Sequence, residues 1–215
     1  MTIEEAIRAR HSVRQYLDKP IDGEAVAALT AEIERCNSEG GLNLQLKINE
    51  PKAMDCLLAH YGKFDNAVNY IALVAPKDAD EAVGYYGERL VILAQRLGLN
   101  TCWVAGSYKK VPEVLEIAKG EKLHMIITVG YGANEGKQHK SRGESEVSNV
   151  GEDSPQWFKR GVEFALLAPT AINQQKFYIK LDGDSVTLKA GIGPYSKTDL
   201  GIVKYHFEQG AERIL

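Results

Sequence analysis

The stretch from Gln156 to Leu181 reads QWFKRGVEFALLAPTAINQQKFYIKL and falls into three pieces. Gln156–Leu167 has the pattern of a helix, and Ala168–Gln174 is a loop of small and turn-forming residues. Phe177, Ile179 and Leu181 then alternate as one face of a strand. Asp182-Gly183 makes a hairpin turn into Val186–Lys189, and a last helix spans about Lys197–Gln209. The same order of helix, break and alternating strand occurs earlier in the chain. Gly23 to about Cys36 is helical, with Val26, Leu29, Ala31 and Ile33 on it; Ser38-Glu39-Gly40-Gly41 breaks it, and Leu44, Leu46 and Ile48 alternate. Two longer helices also share a rhythm. Leu90, Leu93 and Leu97 stand three and seven apart, as do Leu200, Val203 and Phe207, one helical face in each case. Any two amphipathic helices share such spacing, so the echo suggests an internal duplication without requiring one.

The rest of the chain fits around these copies. Thr2 and Glu5 form a capping-box pattern, so a helix starts at once and ends near Arg10. His11–Tyr16 reads as extended. A short helix is expected over Lys52–His60, a buried strand over Tyr70–Val74 stopped by Pro76, and the longest helix from Asp80 to Leu97, ended by Gly98. Thr101–Val104 is short and bulky, a minor helix fits Pro112–Ala118, and His124–Val129 is a second buried strand. Residues 131–154 are polar, contain glycine and show no period, which predicts a long surface excursion.

Composition narrows the function classes. With 215 residues, 44% hydrophobic and 26% charged, the chain can bury an ordinary core. Its formal charge of −3 leaves no nucleic-acid footprint, and no apolar run approaches the roughly 20 residues a bilayer needs. The N-terminal MTIEEAIRARHSVR has no signal-peptide apolar stretch. Cys36, Cys56 and Cys102 are odd in number with no CxxC pair, which suits reduced thiols in a cytoplasmic protein. Five scattered histidines offer no metal-ligand spacing, and His206 has no sequence partner.

Gly130-Tyr131-Gly132-Ala133-Asn134-Glu135-Gly136 mimics a dinucleotide-binding glycine motif with one residue too many. The residues after it, Lys137–Arg142, have no helical period, and that motif works only by feeding a helix N-terminus. Three other stretches carry more. In Arg10-His11-Ser12-Val13-Arg14, an extended backbone points Arg10, Ser12 and Arg14 the same way, a clamp suited to a phosphate or a polar heterocycle edge. Lys140 and Arg142 repeat the alternate spacing and add positive charge; solvated surface basics are the plain alternative. Gly98-Leu99-Asn100-Thr101-Cys102-Trp103 leads to Ala105 and Gly106, whose backbone N–H groups can face a ligand ring. Finally, Pro169, Thr170, Ala171, Asn173 and Gln175 put hydroxyl and amide groups in a turn, suited to a planar ligand with polar edges, although a purely structural loop shares that composition.

Together these stretches resemble the FMN-dependent nitroreductase family. Arg10–Arg14 resembles its phosphate-binding signature, Ala168–Gln175 its second flavin-contacting loop, and Gly98–Trp103 the turn before the backbone that faces the flavin ring. In ordinary members the proline–serine–asparagine loop comes early, but here Ser38–Asn43 lacks the pattern and the good copy stands at 168. The resemblance therefore implies a subgroup in which one polypeptide imitates the usual homodimer, with the first half giving Arg10, His11, Ser12, Arg14, Ala105 and Gly106 and the second giving Pro169, Thr170, Ala171 and Asn173. It implies an α+β fold of mixed or antiparallel sheets surrounded by helices, divided at 1–150 and 151–215, with FMN as cofactor, NADH or NADPH as donor, and ping-pong reduction of nitroaromatics, quinones or similar small acceptors. Arg14, and after it Lys63, is the expected cation beside the reduced flavin. No side chain is expected to serve as acid or base. A monomer is favoured and a homodimer stays possible. The family's divergent chemistries remain open, as does a non-catalytic or degenerate flavin-binding protein.

Overall fold

The computed structural model describes all residues from 1 to 215. They form two compact units interleaved along the chain: Arg10–Ala79 with Leu90–Gln138, and Met1–Ala9 with Asp80–Arg89 and His139–Leu215. The first contains a four-stranded sheet, the second a two-stranded hairpin, and every ladder is antiparallel.

In the first unit the strand order is β1 (Asn43–Lys47), β2 (Tyr70–Pro76), β4 (Glu121–Gly130) and β3 (Asn100–Val104). β2 lies inside this sheet, and its residues from Tyr70 to Ala75 are all buried. That is why it reads as a continuous apolar run rather than an alternating one: both of its faces are covered. Tyr70, Ala72 and Val74 join Val13, Tyr16, Val104, Leu123 and Ile126 in one cluster. A second cluster gathers Ile21, Ala25, Leu29, Ala94, Leu99 and Val129. α2 (Gly23–Gly40) lies along β1, capped by Asp22, whose Oδ1 accepts from the Ala25 amide at 2.8 Å.

Several elements differ from the sequence reading. α2 runs on through Ser38 and Glu39 to Gly40, because only Gly41 takes a left-handed φ of 62° and turns the chain out. Lys52–His60 is not one helix; Cys56 is extended, and α3 occupies only Leu57–Tyr61. Pro112–Val114 makes a single 3₁₀ turn, since Leu115 returns to extended backbone. Ile48 lies beyond β1 and is exposed. Residues 131–154 are more ordered than a bare excursion: Gly132 bridges to Tyr16, Ser148 bridges to Ile179, and α5 (Glu144–Val147) starts with the Glu146 carboxylate accepting from the Gly143 amide.

The second unit is built on helices: α1 (Ile3–Ala9), the first ten residues of α4 (Asp80–Arg96), α5, α6 (Gln156–Ala165) and α7 (Ser196–Ala211), with the hairpin β5 (Phe177–Asp182) and β6 (Ser185–Ala190). The expected capping box closes α1: Thr2 N donates to Glu5 Oε2 at 2.8 Å, and Glu5 N donates to Thr2 Oγ1 at 3.1 Å. α6 and α7 pack face to face, with Phe207 against Gly161 and Phe164 against Gly210. α4 and α7 cross in main-chain contact. A Cβ on Gly84 would meet the Thr198 carbonyl oxygen at 2.0 Å and the Ile202 nitrogen at 3.1 Å; one on Gly201 would meet the Glu81 carbonyl oxygen at 1.9 Å and the Tyr85 nitrogen at 2.7 Å. Each glycine thus meets the carbonyl three residues before, and the amide one residue after, the other glycine. This is the local relation a two-fold axis produces.

Polar groups buried around the crossing are paired. His206, for which the sequence offered no partner, is fully buried with Nε2 2.8 Å from Glu88 Oε1 and Nδ1 3.2 Å from the Phe164 carbonyl. Tyr85 donates to Glu208 Oε2 at 2.6 Å. No helix is long and apolar enough to cross a membrane.

Because neither backbone at the crossing can retreat without separating the helices, Gly84→Ala and Gly201→Ala are each expected to cost about 3 kcal/mol or more, at the upper end of overpacking effects. Gly23→Ala, whose Cβ meets nothing within 4 Å, is the control and should change stability little. Urea unfolding of the three variants measures both.

Candidate functional site

In the sheet-bearing unit the segment after α1 is extended, as its alternation implies. Ser12 bridges in parallel to Thr101, the Val13 amide donates to the Thr101 carbonyl at 3.0 Å, and Gln15 bridges to Asp65. Tyr16 anchors it from below, its hydroxyl donating to the Val13 carbonyl at 2.7 Å and meeting Thr128 Oγ1 at 2.7 Å, and burial pushes this phenol far above its ordinary range. The glycine run packs closely on this segment: a Cβ on Gly130 would meet the Tyr16 ring at 3.0 Å, and Gly136, at φ 70°, would press one to 2.8 Å from His11 Cβ, while one on Gly132 would meet Asn100 Oδ1 of β3 at 2.5 Å. The glycines of the misleading motif are therefore required for close approach of chain to chain, and no helix follows them before α5.

Three of the expected residues act on one sulfur: burial raises the Cys102 thiol, while the Arg14 charge, a hydrogen bond with Ser12 and the Arg10 charge pull it down, in that order. Arg10 is only 4% exposed, whereas Arg14 is exposed, with its guanidinium carbon 5.9 Å from the centre of the Phe64 ring. His11 is held below the ordinary imidazole range, first by burial and then by Arg10, so it stays neutral at neutral pH. Lys63 is exposed at a left-handed φ of 61° in the turn before Phe64. Ala105 and Gly106 follow β3, and a Cβ on Gly106 would meet nothing within 4 Å, so the backbone there is open to a ligand.

The helical unit brings together Lys140, Arg142, Thr170, Ala171, Asn173 and Gln175. The Lys140 carbonyl accepts from Asn173 Nδ2 at 2.9 Å and from Gln175 Nε2 at 2.8 Å, and the Arg142 amide donates to Gln175 Oε1 at 2.9 Å. Thr170 Oγ1 accepts from the Gln175 amide at 3.0 Å. Gln175 is 2% exposed with both ends of its amide engaged, so its side chain ties the loop to the 140–142 strap. His139 and Ser141 fasten the same strap to the Leu166 carbonyl. Pro169 is half-buried at the loop entrance. An open cleft of about 380 Å³ elsewhere in this unit, lined by Glu144, Glu152, Lys159, Arg160 and Glu163 among others, contains none of the expected residues. No group of His, Cys, Asp or Glu side chains has the arrangement of a metal site.

Two participants escaped sequence reading. Cys102 sits in a strand whose partner segment lies about ninety positions away, and Asp199 reaches the loop from α7. Neither has a local signal; only the strand bridge and the helix placement reveal them.

Comparison with known proteins agrees with this architecture. A family model described as Putative TM nitroreductase matches residues 2–211. A putative nitroreductase from Thermotoga maritima is similar in structure at 23% identity, covering 100% of this chain and 87% of its own, with a TM-score of 0.68. A putative nitroreductase in complex with FMN from Desulfovibrio desulfuricans aligns at 17% identity over 72% of this chain and 99% of its own (TM-score 0.52). The NfrA1 nitroreductase from B. subtilis aligns at 15% identity over 71% of this chain and 74% of its own (TM-score 0.55). No curated protein matches. The fold is that of the nitroreductases. The chain itself belongs to the Putative TM nitroreductase family, which the match over nearly its whole length establishes.

The burial of the cysteines predicts an order of reactivity. Cys56, partly exposed, should be alkylated first by iodoacetamide in the native protein, whereas Cys36 and Cys102 should react only on unfolding. Mass mapping of the labelled peptides checks this, and rapid native labelling of Cys102 would contradict its burial.

Proposed function

We propose that the chain is an FMN-dependent oxidoreductase that uses NADH or NADPH to reduce nitroaromatics, quinones or similar electron-poor small molecules. The observation that carries this reading is that Arg10 and Arg14 flank Ser12 in an extended segment bridged to β3 at Thr101, the strand that ends just before Ala105 and Gly106. This donor set fits FMN. Two guanidiniums and a hydroxyl suit a phosphate dianion, and a glycine with free space beside it suits close approach of a flat ring.

In this reading Arg10 and Arg14 grip the phosphate, with Ser12 adding a hydroxyl and His11 a neutral imidazole that does not compete for the anion. Ala105 and Gly106 offer backbone N–H groups. Lys63, Lys140 and Arg142 add positive charge, and Pro169, Thr170, Ala171, Asn173 and Gln175 shape the loop that contacts the flavin. When bound, FMN would supply two-electron hydride chemistry between a nicotinamide and the acceptor. No protein acid or base is invoked, since solvent can protonate the product.

A one-chain imitation of a dimer is part of the proposal, with 1–150 and 151–215 as its two halves. The symmetric relation of Gly84 and Gly201 at the α4–α7 crossing supports it, since duplicated helices meeting across a local two-fold would make such contacts.

Replacing Arg10 and Arg14 together with alanine should weaken FMN binding by about 2–5 kcal/mol. Fluorescence titration with FMN measures this, and unchanged affinity would move the phosphate elsewhere. Sedimentation of the flavin-loaded protein should show a monomer with about one FMN per chain; an obligate dimer would overturn the one-chain imitation. Flavin absorbance that bleaches on adding NADH or NADPH supports the oxidoreductase. Flavin that nicotinamide does not bleach points instead to a carrier, and protein that cannot be loaded with FMN refutes both.

A further inference from the structure

The loop that follows α6 stores strain. Ile172, Asn173 and Gln175 all adopt left-handed backbone, with φ of 48°, 55° and 45°. For a β-branched residue this region is costly, and such outliers persist only where surrounding structure imposes them. Packing does not impose it on Ile172, which is 88% exposed. Hydrogen bonds from either side of it do.

Those bonds end on a single carboxylate. Asp199, in the first turn of α7 and only 4% exposed, accepts from the Ala171 amide at 3.0 Å through Oδ1 and from Gln174 Nε2 at 2.7 Å through Oδ2. Ala171 immediately precedes the strained pair Ile172–Asn173, and Gln174 immediately follows it. Gln174 Nε2 also donates to the Pro194 carbonyl at 2.8 Å, while its Oε1 is buried without a hydrogen-bond partner. Burial raises the Asp199 carboxyl above the usual carboxylate range, against the pull of the Gln174 and Ala171 donors. The acid is therefore kept in an unfavourable place whose only visible return is its grip on this loop.

We propose that Asp199 is a positioning residue, bracketing Ile172–Asn173 so that the loop keeps the strained shape in which it contacts flavin. The role in binding rests on the flavin reading given above; the grip on the loop does not. Asp199 touches no cofactor itself and acts through Ala171 and Gln174.

The two parts are tested separately on the full chain. Without added flavin, hydrogen exchange at the Ala171 amide should be at least tenfold faster in Asp199→Ala than in the parent, with the β5–β6 amides unchanged. Gln174→Ala removes one arm of the bracket, leaves Asp199 in place and serves as the second variant; it should give an intermediate acceleration. Unchanged exchange at Ala171 in either folded variant overturns the bracket. With added FMN, the dissociation constant should rise about tenfold or more in Asp199→Ala. Adding Ile172→Gly should recover part of that loss, because glycine takes a positive φ without strain. Faster exchange with unaltered FMN affinity overturns the positioning role while leaving the bracket. Loss of affinity that Ile172→Gly cannot relieve assigns the effect to general destabilisation and also overturns it.

Discussion

Two glycines, one on α4 and one on α7, let a pair of helices meet main chain to main chain, and the helical unit is organised by that constraint. With backbones this close there is no room for side chains at the crossing, so apolar packing is displaced to either side of it. Ile202 and Val203, next to Gly201 on α7, are buried, and farther along the helix Phe207 and Phe164 fill the contact with α6. Polar groups carried into the interior along α7 then need partners, and they find them on facing elements: Glu88 for His206, Tyr85 for Glu208, the 171–174 loop for Asp199. Buried Asp199, His206 and Glu208 are tolerated because each has a hydrogen-bond partner.

That explains what could be read from the residues alone and what could not. β2 and the hairpin after Asp182 were legible because strand burial and turn chemistry leave local marks. The capping box at Thr2 and Glu5 was legible for the same reason. The ends of α2 and α3 were not. Serine and glycine at 38 and 40 are weak helix residues but are tolerated in a final turn, and the break falls where left-handed backbone is reached. Lys52–His60 carries helical spacing, yet an extended Cys56 interrupts it. Within the polar stretch 131–154, order arises from bridges to Tyr16 and Ile179, partners too distant in sequence to predict.

The candidate site divides along the same line. The extended course of Arg10–Arg14 was legible from its residues alone, and the bridge of Ser12 to Thr101 is its structural counterpart. The engagement of Asn173 and Gln175 with the Lys140 carbonyl was not. Amide side chains in a turn look available in sequence, and only the fold shows which of them already have partners. The misleading glycine motif teaches the converse. Its glycines matter sterically, for clasping the neighbouring segment, and the same letters in a different setting would have been read as nucleotide chemistry.

The depth of Arg10 has a consequence for ionic strength. Mobile ions weaken attractions between exposed charges within about 8–10 Å at ordinary salt, but they penetrate poorly around a guanidinium that is 4% exposed. An ion pair formed at Arg10 would lose less of its attraction to added salt than one formed at an exposed lysine.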